Sequence, residues 1–151
     1  MKTKAVVVAF LSLSVLAAVS ASYAADSKEV IKYRQNVMKV NGGSASAAAA
    51  IIQGKVDHKD RLADHAKALE ASTKDIAGLF PKGSDSGDTR ALPEIWKNWG
   101  DFEAKAKESH EKAAAFSKAV ASGDGGAIKA AFKDVGESCK ACHKDYRQKK
   151  E

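Results

Sequence analysis

Residues 126–148 read GAIKAAFKDVGESCKACHKDYRQ, and the rest of the chain can be understood from this stretch. Apolar residues recur in it at alternating intervals of four and three, which predicts one helix with a single buried face. The residues on that face are Ile128, Phe132, Val135, Cys139, Cys142 and Tyr146. Both cysteines therefore lie on the predicted core face, and a group attached to them would be carried into the interior of the protein.

The two cysteines belong to Cys139-Lys140-Ala141-Cys142-His143, which has the Cys-x-x-Cys-His spacing of c-type haem attachment. On a helix, Cys139, Cys142 and His143 stand at i, i+3 and i+4, so their side chains leave the same face. Thiols form thioether bonds to the haem vinyl groups, and imidazole is a common ligand of haem iron. The segment predicts one covalent haem c, linked through both cysteines, with His143 as an iron ligand.

Other interpretations of this segment have less support. A redox-active disulfide usually accompanies a βαβ pattern, and the sequence shows no alternating strand pattern. A zinc site typically needs four ligands, but the chain has only two cysteines, and His58, His65 and His110 are scattered. None of these three histidines falls on a predicted core face, so solvent-facing positions are favoured over a role as a second iron ligand. Two helical cysteines placed together by chance are the remaining alternative.

The N-terminus has the features of a secretory signal peptide. Lys2 and Lys4 precede an apolar run over residues 5–19, and Ser-Tyr-Ala at 22–24 supplies the small residues that a signal peptidase reads. We predict that residues 1–24 are cleaved and that 25–151 form one domain. A retained anchor is disfavoured because the run is short for a spanning helix. Since c-type haem is attached outside the bacterial cytoplasm, the expected location is the periplasm, without stable membrane insertion after cleavage.

The charge balance excludes one class of partner. The 151 residues carry 25 Lys and Arg against 19 Asp and Glu, a formal net charge of +6. Basic and acidic residues are interleaved rather than clustered, which is typical of solvated helix faces. No nucleic-acid partner is therefore expected.

Prolines and glycines divide the remaining chain into four helical segments. Pro81 and Pro93 are the only prolines, and glycines cluster at 42–43, 83–87 and 123–126. We place the helices at about 27–53, 59–80, 93–122 and 126–148. Each has one apolar face, and the links between most of them are short. This pattern predicts an all-α fold, an antiparallel up-down-up-down four-helix bundle with covalently bound haem.

Several individual positions follow from the same helical pattern. Arg34 lies on the apolar face of the first segment, where a guanidinium needs an anion such as a haem propionate. Trp99 lies on the core face of the third segment and Trp96 flanks it. Val40 and Ile51 are apolar residues off the core faces, and they would serve a homodimer if one forms.

Three stretches together resemble a known family. They are residues 33–39 (YRQNVMK), 88–96 (DTRALPEIW) and 135–147 (VGESCKACHKDYR). They resemble class II c-type cytochromes, the cytochrome c′ group and its low-spin relatives, over essentially the whole chain after the signal peptide. Cytochrome c′ is itself a standard example of the up-down-up-down bundle.

The resemblance implies roles for further residues. It implies a covalent haem c with His143 as the proximal ligand, and it implies that Arg34 and Gln35 contact the haem and its propionates. Thr89 and Arg90 match a linker that approaches the haem in relatives. Some relatives place an arginine like Arg147 in the proximal pocket, although a cation favoured by the helix dipole is an equal alternative.

Met38 decides between two functions. It is the only methionine after the predicted cleavage site, one helical turn from Arg34. In low-spin relatives a methionine from this helix binds the iron, which favours electron transfer. In cytochromes c′ proper this side chain only packs over an open iron face, and the five-coordinate iron binds small gases.

We therefore expect a periplasmic monohaem c-type cytochrome that transfers electrons to redox partner proteins. The alternative is a five-coordinate cytochrome c′ that binds nitric oxide or carbon monoxide. An enzyme such as a peroxidase is not expected, because the residues facing the second iron position are mainly Ala, Val and Met rather than acid–base groups. A haem-free helical redox or metal-binding module is the remaining class.

Overall fold

The computed structural model describes residues 12–149, with side chains from Ser27 onward. The helices are α1 (Ser12–Ile52), α2 (Leu62–Thr73), α3 (Glu94–Lys97), α4 (Trp99–Ser122) and α5 (Gly125–Tyr146). Short 3₁₀ turns lie at Lys59–Arg61 and Ala77–Leu79. Within the described range there is no β-strand, only an isolated bridge between Ala91 and Arg147. The all-α prediction is confirmed, and no helix among these residues is long and apolar enough to cross a membrane.

The four long helices pack as a bundle. α4 packs against α5 and α2, and α1 packs against α2, whereas α1 and α5 have no comparably extensive interface. α4 ends at Gly123, whose φ of +75° is the left-handed conformation that glycine adopts without strain. Asp124 then caps α5, because its Oδ1 accepts hydrogen bonds from Gly126 N (2.8 Å) and Ala127 N (3.0 Å). This tight connection makes α4 and α5 antiparallel neighbours.

The second predicted helix is shorter than expected. Its core residues Leu62, Ala66, Leu69 and Thr73 are buried as predicted, but α2 ends at Thr73 instead of Phe80. The Thr73 hydroxyl donates to Leu69 O (2.7 Å), a type of bond that competes with regular helix geometry. Asp75 Oδ1 then accepts from Gly78 N (3.0 Å) and stabilises a separate turn.

The third predicted helix is interrupted, and one core assignment is wrong. Asn98 has φ −118° and ψ 46°, so the chain leaves helical geometry between α3 and α4. This break changes the helical phase: Trp99 is 37% exposed, whereas Trp96 is half-buried. Trp96 Nε1 donates a hydrogen bond to Phe80 O (3.1 Å). The predicted roles of the two tryptophans are therefore reversed.

α1 is longer than the predicted segment, since it begins at Ser12 and continues through position 24. All of the predicted signal peptide, residues 1–24, lies outside the residues whose side chains are described, and cleavage after Ala24 stays a prediction. At the other end of α1, Ile51 is only 6% exposed, so its assignment to a dimer surface is wrong. The reason is that Ile51 packs into the core beside α2. Val40 is 50% exposed, as expected.

The interior contains two clusters. The first, here called the alanine-rich core, consists of Ala48, Ile51, Leu62, Ala66, Leu69, Ala113, Phe116 and Val135. The second, here called the aromatic core, consists of Phe80, Ile95, Phe102 and Tyr146. The long helices supply the first core, whereas the second also draws on α3 and on the linker that follows α2. The two cores thus lie in different stretches of the bundle, and α4 and α5 contribute to both.

Candidate haem site

The Cys-x-x-Cys-His segment lies in the last turns of α5, as predicted. Cys139, Cys142 and His143 are all half-buried, and the two cysteines are free thiols. Cys139 packs against the alanine-rich core, whereas Cys142 packs against the aromatic core. The helix therefore presents the motif at the junction of the two cores, with both thiols on its inner face.

Burial sets the protonation states of these side chains. It raises the pKa of Cys142 to about 11, with a smaller contribution from Cys139, and it also raises the pKa of Cys139. Thiols of this kind are poor nucleophiles, which argues against a reactive redox disulfide. Burial, together with the smaller effect of the positive charges of Arg147 and Arg90, lowers the pKa of His143 to about 4. At neutral pH His143 is therefore an uncharged imidazole, the form that binds metals.

Met38 lies on the inner side of α1 and reaches the same apolar region as the motif. Its side chain is half-buried and packs against the aromatic core, as does Cys142. The core that they share is predominantly apolar. The structure thus brings the only methionine after position 24 to the cluster that also takes the second cysteine of the motif.

Arg34 is 3% exposed and is fully engaged with the linker after α2. Its Nη1 donates to Ser84 Oγ (3.0 Å) and Leu79 O (3.4 Å). Its Nη2 donates to Thr89 Oγ1 (2.8 Å) and Ser84 O (3.0 Å), and its guanidinium lies 4.4 Å from the centre of the Phe80 ring. Neutral hydroxyl and carbonyl oxygens thus bind this buried cation. The prediction that Arg34 needs an anion is therefore wrong. Burial lowers the pKa of Arg34, and a contact with a haem propionate stays a prediction.

Gln35 and Thr89 join α1 to the same linker. Gln35 Nε2 donates to Asp88 O (2.7 Å), one residue before Thr89. Thr89 Oγ1 accepts from Ala91 N (3.1 Å) as well as from Arg34. All three polar side chains therefore shape the linker, whatever contact they make with a haem.

Arg90 connects the linker to the end of α5. Its Nε donates to Gln148 O (3.1 Å), and Gln148 N donates in return to Arg90 O (2.8 Å). Leu92 N donates to Tyr146 O (3.1 Å) on the other side of the Ala91–Arg147 bridge. These bonds hold Arg90 and Arg147 close enough to His143 to lower its pKa.

Ser84 has no sequence signal for its part in this site. Ser84 is 1% exposed although it lies in a polar, glycine-rich stretch that predicts a solvated loop. Its burial depends on Arg34, which is 50 residues away in the chain. Only a contact map or an alignment of many relatives could have paired the two.

The other histidines lie away from the motif. His58 is exposed and His65 half-buried, and both line a shallow cavity of about 380 Å³ beside Ile51 at the end of α1. His110 Nδ1 lies 3.3 Å from Thr73 Oγ1, between α4 and α2. Among the described residues, no group of three or more His, Cys, Asp or Glu side chains could hold a metal ion.

The residues of α5 fit a covalent haem c. Two protonated thiols and a neutral imidazole leave one helical face with the spacing that attachment requires. α1 and α5 do not pack against each other along an extensive interface, unlike the other adjacent helices. Apolar and aromatic side chains surround the motif, which is the environment that a macrocycle needs.

Known proteins share this arrangement. The sequence model of the cytochrome c′ family matches residues 29–147. A cytochrome c′ from Rhodospirillum rubrum is 30% identical over 137 residues, which cover 90% of this chain and 93% of that protein. A cytochrome c-556 from Agrobacterium tumefaciens (strain II Chrys) is 35% identical over 123 residues, which cover 80% of this chain and 98% of that protein.

Solved structures have the same fold. The cytochrome c′ from Shewanella frigidimarina has a TM-score of 0.78 at 33% identity, and the match covers 82% of this chain and 97% of that chain. A nitric oxide complex of a cytochrome c′ variant from Alcaligenes xylosoxidans has a TM-score of 0.75 at 29% identity, with the same coverage. Together with the haem motif on α5, these matches show that the chain belongs to the cytochrome c′ family and is a monohaem c-type cytochrome with one covalent haem c.

Proposed function

We propose that this cytochrome is a periplasmic electron-transfer protein, exported with cleavage after Ala24, in which His143 is the proximal ligand of the iron. Bound haem supplies a one-electron couple. The observation that carries the proposal is that Met38 and Cys142 pack on one apolar cluster. If Met38 and His143 both bound the iron, their thioether and imidazole would give a couple with a raised potential, which suits electron transfer.

The protein's own side chains have distinct tasks in this scheme. Cys139 and Cys142 hold the macrocycle, and the neutral imidazole of His143 offers its lone pair to the iron. The aromatic core, against which Cys142 and Met38 pack, excludes water from that part of the site. Arg34 fixes the linker that closes this region. None of these tasks requires a moving part, which agrees with a carrier that changes little between its two redox states.

Exposed cations beside the motif support a protein partner. Lys140 and Lys144 are exposed on successive turns of α5. Arg147 follows them at the end of the helix and is also exposed. Positive charges so placed would steer an acidic redox partner toward the haem-bearing helix.

A second candidate function is the binding of a small gas such as nitric oxide or carbon monoxide. It is favoured by the solved nitric oxide complex of the Alcaligenes xylosoxidans relative. In this case Met38 packs over the iron without binding it. We propose no enzymatic reaction, because the core around Met38 is mainly apolar and a peroxidase needs acid–base groups beside the iron.

The absorption spectrum and spin state of the exported protein separate the two candidates. Both are measured on oxidised and reduced protein, with and without carbon monoxide. A low-spin spectrum with a methionine-to-iron charge-transfer band, lost in Met38→Ala and kept in Val37→Ala, is the result expected for electron transfer. Val37 is the matched control because it is the adjacent half-buried residue of α1. A high-spin spectrum that converts readily with carbon monoxide would contradict iron ligation by Met38 and support gas binding.

His143 and the export signal are tested in the same preparation. His143→Gly is expected to keep the covalent haem, detected by mass, but to lose the parental spectrum until free imidazole is added. An unchanged spectrum in His143→Gly would contradict the assignment of the proximal ligand. The mass of the mature protein is expected to equal that of residues 25–151 plus one haem. A mass that includes residues 1–24 would contradict cleavage after Ala24.

A further inference from the structure

An ion-pair network lies beside the second cysteine of the motif. Lys105 of α4 lies between two carboxylates, with its Nζ 3.6 Å from Asp101 Oδ2 and 3.7 Å from Asp145 Oδ2. The Lys105 side chain is 26% exposed, whereas every other basic side chain in a described ion pair is at least 38% exposed. Lys105 is therefore the cation most shielded from solvent among these pairs.

Tyr146 ties this network to the helical turn that carries Cys142. Its Oη donates a hydrogen bond to Asp101 Oδ2 (2.5 Å), and its ring packs edge-on against Phe102 at a centroid distance of 5.3 Å. Desolvation, followed by the hydrogen bond to Asp101, raises the pKa of Tyr146 to about 12. The phenol thus remains a neutral donor, and it holds the Asp101 carboxylate of α4 against Tyr146, which lies one helical turn after Cys142 on α5.

We propose that Asp101 and Lys105 set the reduction potential of the haem attached at Cys142. Reduction adds one electron, so a fixed negative charge nearby opposes it and a fixed positive charge assists it. Partial burial of Lys105 strengthens its effect relative to bulk water, whereas the Asp101 side chain is 57% exposed. Asp101 therefore stabilises the oxidised form and Lys105 the reduced form. This inference deepens the proposed electron-transfer function, but it depends only on the covalent haem.

The positions of these charges place them against the turn of α5 that carries Cys142. Phe102, the residue after Asp101, packs in the aromatic core, and so does Cys142. Lys105 pairs with Asp145, three residues after Cys142. These charges would therefore act on a group bonded to the Cys142 sulfur, in directions fixed by their signs.

A second ion pair between the same helices provides the control. Lys112 of α4 pairs with Asp134 of α5 at 3.5 Å, and both are partly exposed. Asp134 precedes Cys142 by eight residues, which is about two helical turns. If the Lys105 network only holds α4 against α5, removing the Lys112–Asp134 pair should change the reduction potential as much as removing the Lys105 network does.

Reduction potentials of the haem-loaded proteins test the proposal. Asp101→Asn keeps an oxygen acceptor for Tyr146 and is expected to shift the potential in the positive direction. Lys105→Gln is expected to shift it in the negative direction. Asp134→Asn and Lys112→Gln are expected to cause clearly smaller shifts. Both main shifts should shrink at high ionic strength, because salt screens partly exposed charges.

Shifts of the same sign in Asp101→Asn and Lys105→Gln would overturn the proposal, because loss of packing moves both variants in one direction. Shifts as large in the Lys112–Asp134 variants would overturn it as well. If Asp101→Asn does not fold, a negative shift in Lys105→Gln that exceeds the shift in Lys112→Gln supports the proposal, and equal shifts overturn it. A potential exists whether or not Met38 binds the iron, so this outcome is independent of the test of electron transfer against gas binding.

Discussion

The alanine-rich core and the aromatic core hold the same bundle together by different means. Ala48, Ala66 and Ala113 are completely buried in the first, so the helix backbones can approach each other closely. In the second, large rings meet edge to face, as for Phe80 and Phe102, whose centroids lie 4.8 Å apart. The aromatic core also contains polar anchors: Trp96 Nε1 and Tyr146 Oη both donate hydrogen bonds. Close helix packing therefore forms the scaffold, whereas the end of the bundle that carries the motif is held by specific, directed contacts.

Two phenylalanines allow the difference between the cores to be measured. Phe116 is 0% exposed in the alanine-rich core, and Phe102 is 2% exposed in the aromatic core. We expect Phe116→Ala and Phe102→Ala each to lower the free energy of unfolding by about 3–5 kcal/mol, because both leave a large cavity. Denaturant titration measures these losses.

Only Phe102→Ala is expected to change the haem absorption spectrum as well, because only Phe102 packs in the cluster that takes Met38 and Cys142. Equal spectral changes in both variants would contradict the division into a scaffold core and a haem core. An unchanged spectrum in both would place the haem away from the aromatic core.

Arg34 tests whether a directed contact matters as much as apolar packing. Arg34→Met removes the donors of four hydrogen bonds and leaves the oxygens of Ser84 and Leu79 without this partner. We expect a loss of about 2–4 kcal/mol in the free energy of unfolding. Lys39→Met on the same helix is the matched control, because Lys39 is exposed, and its loss should be below about 0.5 kcal/mol.

Proteolysis localises the effect of Arg34. Because Arg34 binds the linker, cleavage within residues 79–92 should become faster in Arg34→Met and remain unchanged in Lys39→Met. Faster cleavage elsewhere in the chain, with an intact linker, would show that Arg34 does not hold this segment in place.

The smallest expected effect lies at the start of α5, away from both cores. The backbone N–H groups of Ala127 and then Gly126 lower the pKa of Asp124 by hydrogen bonding to its carboxylate. A folded-state pKa below the unfolded one gives a stabilisation that is complete above the unfolded pKa, and that is lost as the pH falls through the folded pKa. Asp124→Asn keeps a capping oxygen but cannot titrate.

Thermal unfolding measured from neutral to acidic pH checks this difference. The parent protein should lose stability relative to Asp124→Asn as the pH decreases into the carboxyl range. Parallel curves for the two proteins would contradict a titrating cap at Asp124.

The regular parts of the fold were predictable because their signals are local. Alternating apolar intervals placed Val135, Cys139 and Cys142 on one face of α5, and all three pack inward. The break at Asn98 had no such signal, since asparagine is tolerated in helices and flanking residues continue the pattern. Its consequence was the exchange of Trp96 and Trp99, because the interruption changes the helical phase between α3 and α4, although Ile95 stays buried. Ile51 was assigned to the surface because only one row of α1 residues was taken as the core face. Where α1 packs against α2, a wider face of the helix is buried, and it includes Ile51.

Some residues of the candidate site were likewise predictable from local sequence, and others were not. The motif at 139–143 indicates haem attachment by spacing alone, and Arg34 was recognisable as an unusual residue on an apolar face. Met38 was singled out by the family resemblance. The partners of Arg34 were not predictable. Ser84 and Thr89 lie 50 and 55 residues away in a polar stretch, and nothing local distinguishes them from solvated loop residues.

The amino-acid sequence alone was enough to predict the all-α class, the family and a haem attachment site at Cys139 and Cys142, because helix periodicity and thioether spacing are properties of neighbouring residues. Only the tertiary structure decided which oxygens bind Arg34, where the third helix breaks, and that Lys105 lies between two carboxylates beside Cys142. These features depend on how distant segments approach one another. A buried hydrogen bond or a shielded ion pair exists only when the whole bundle has excluded water from it.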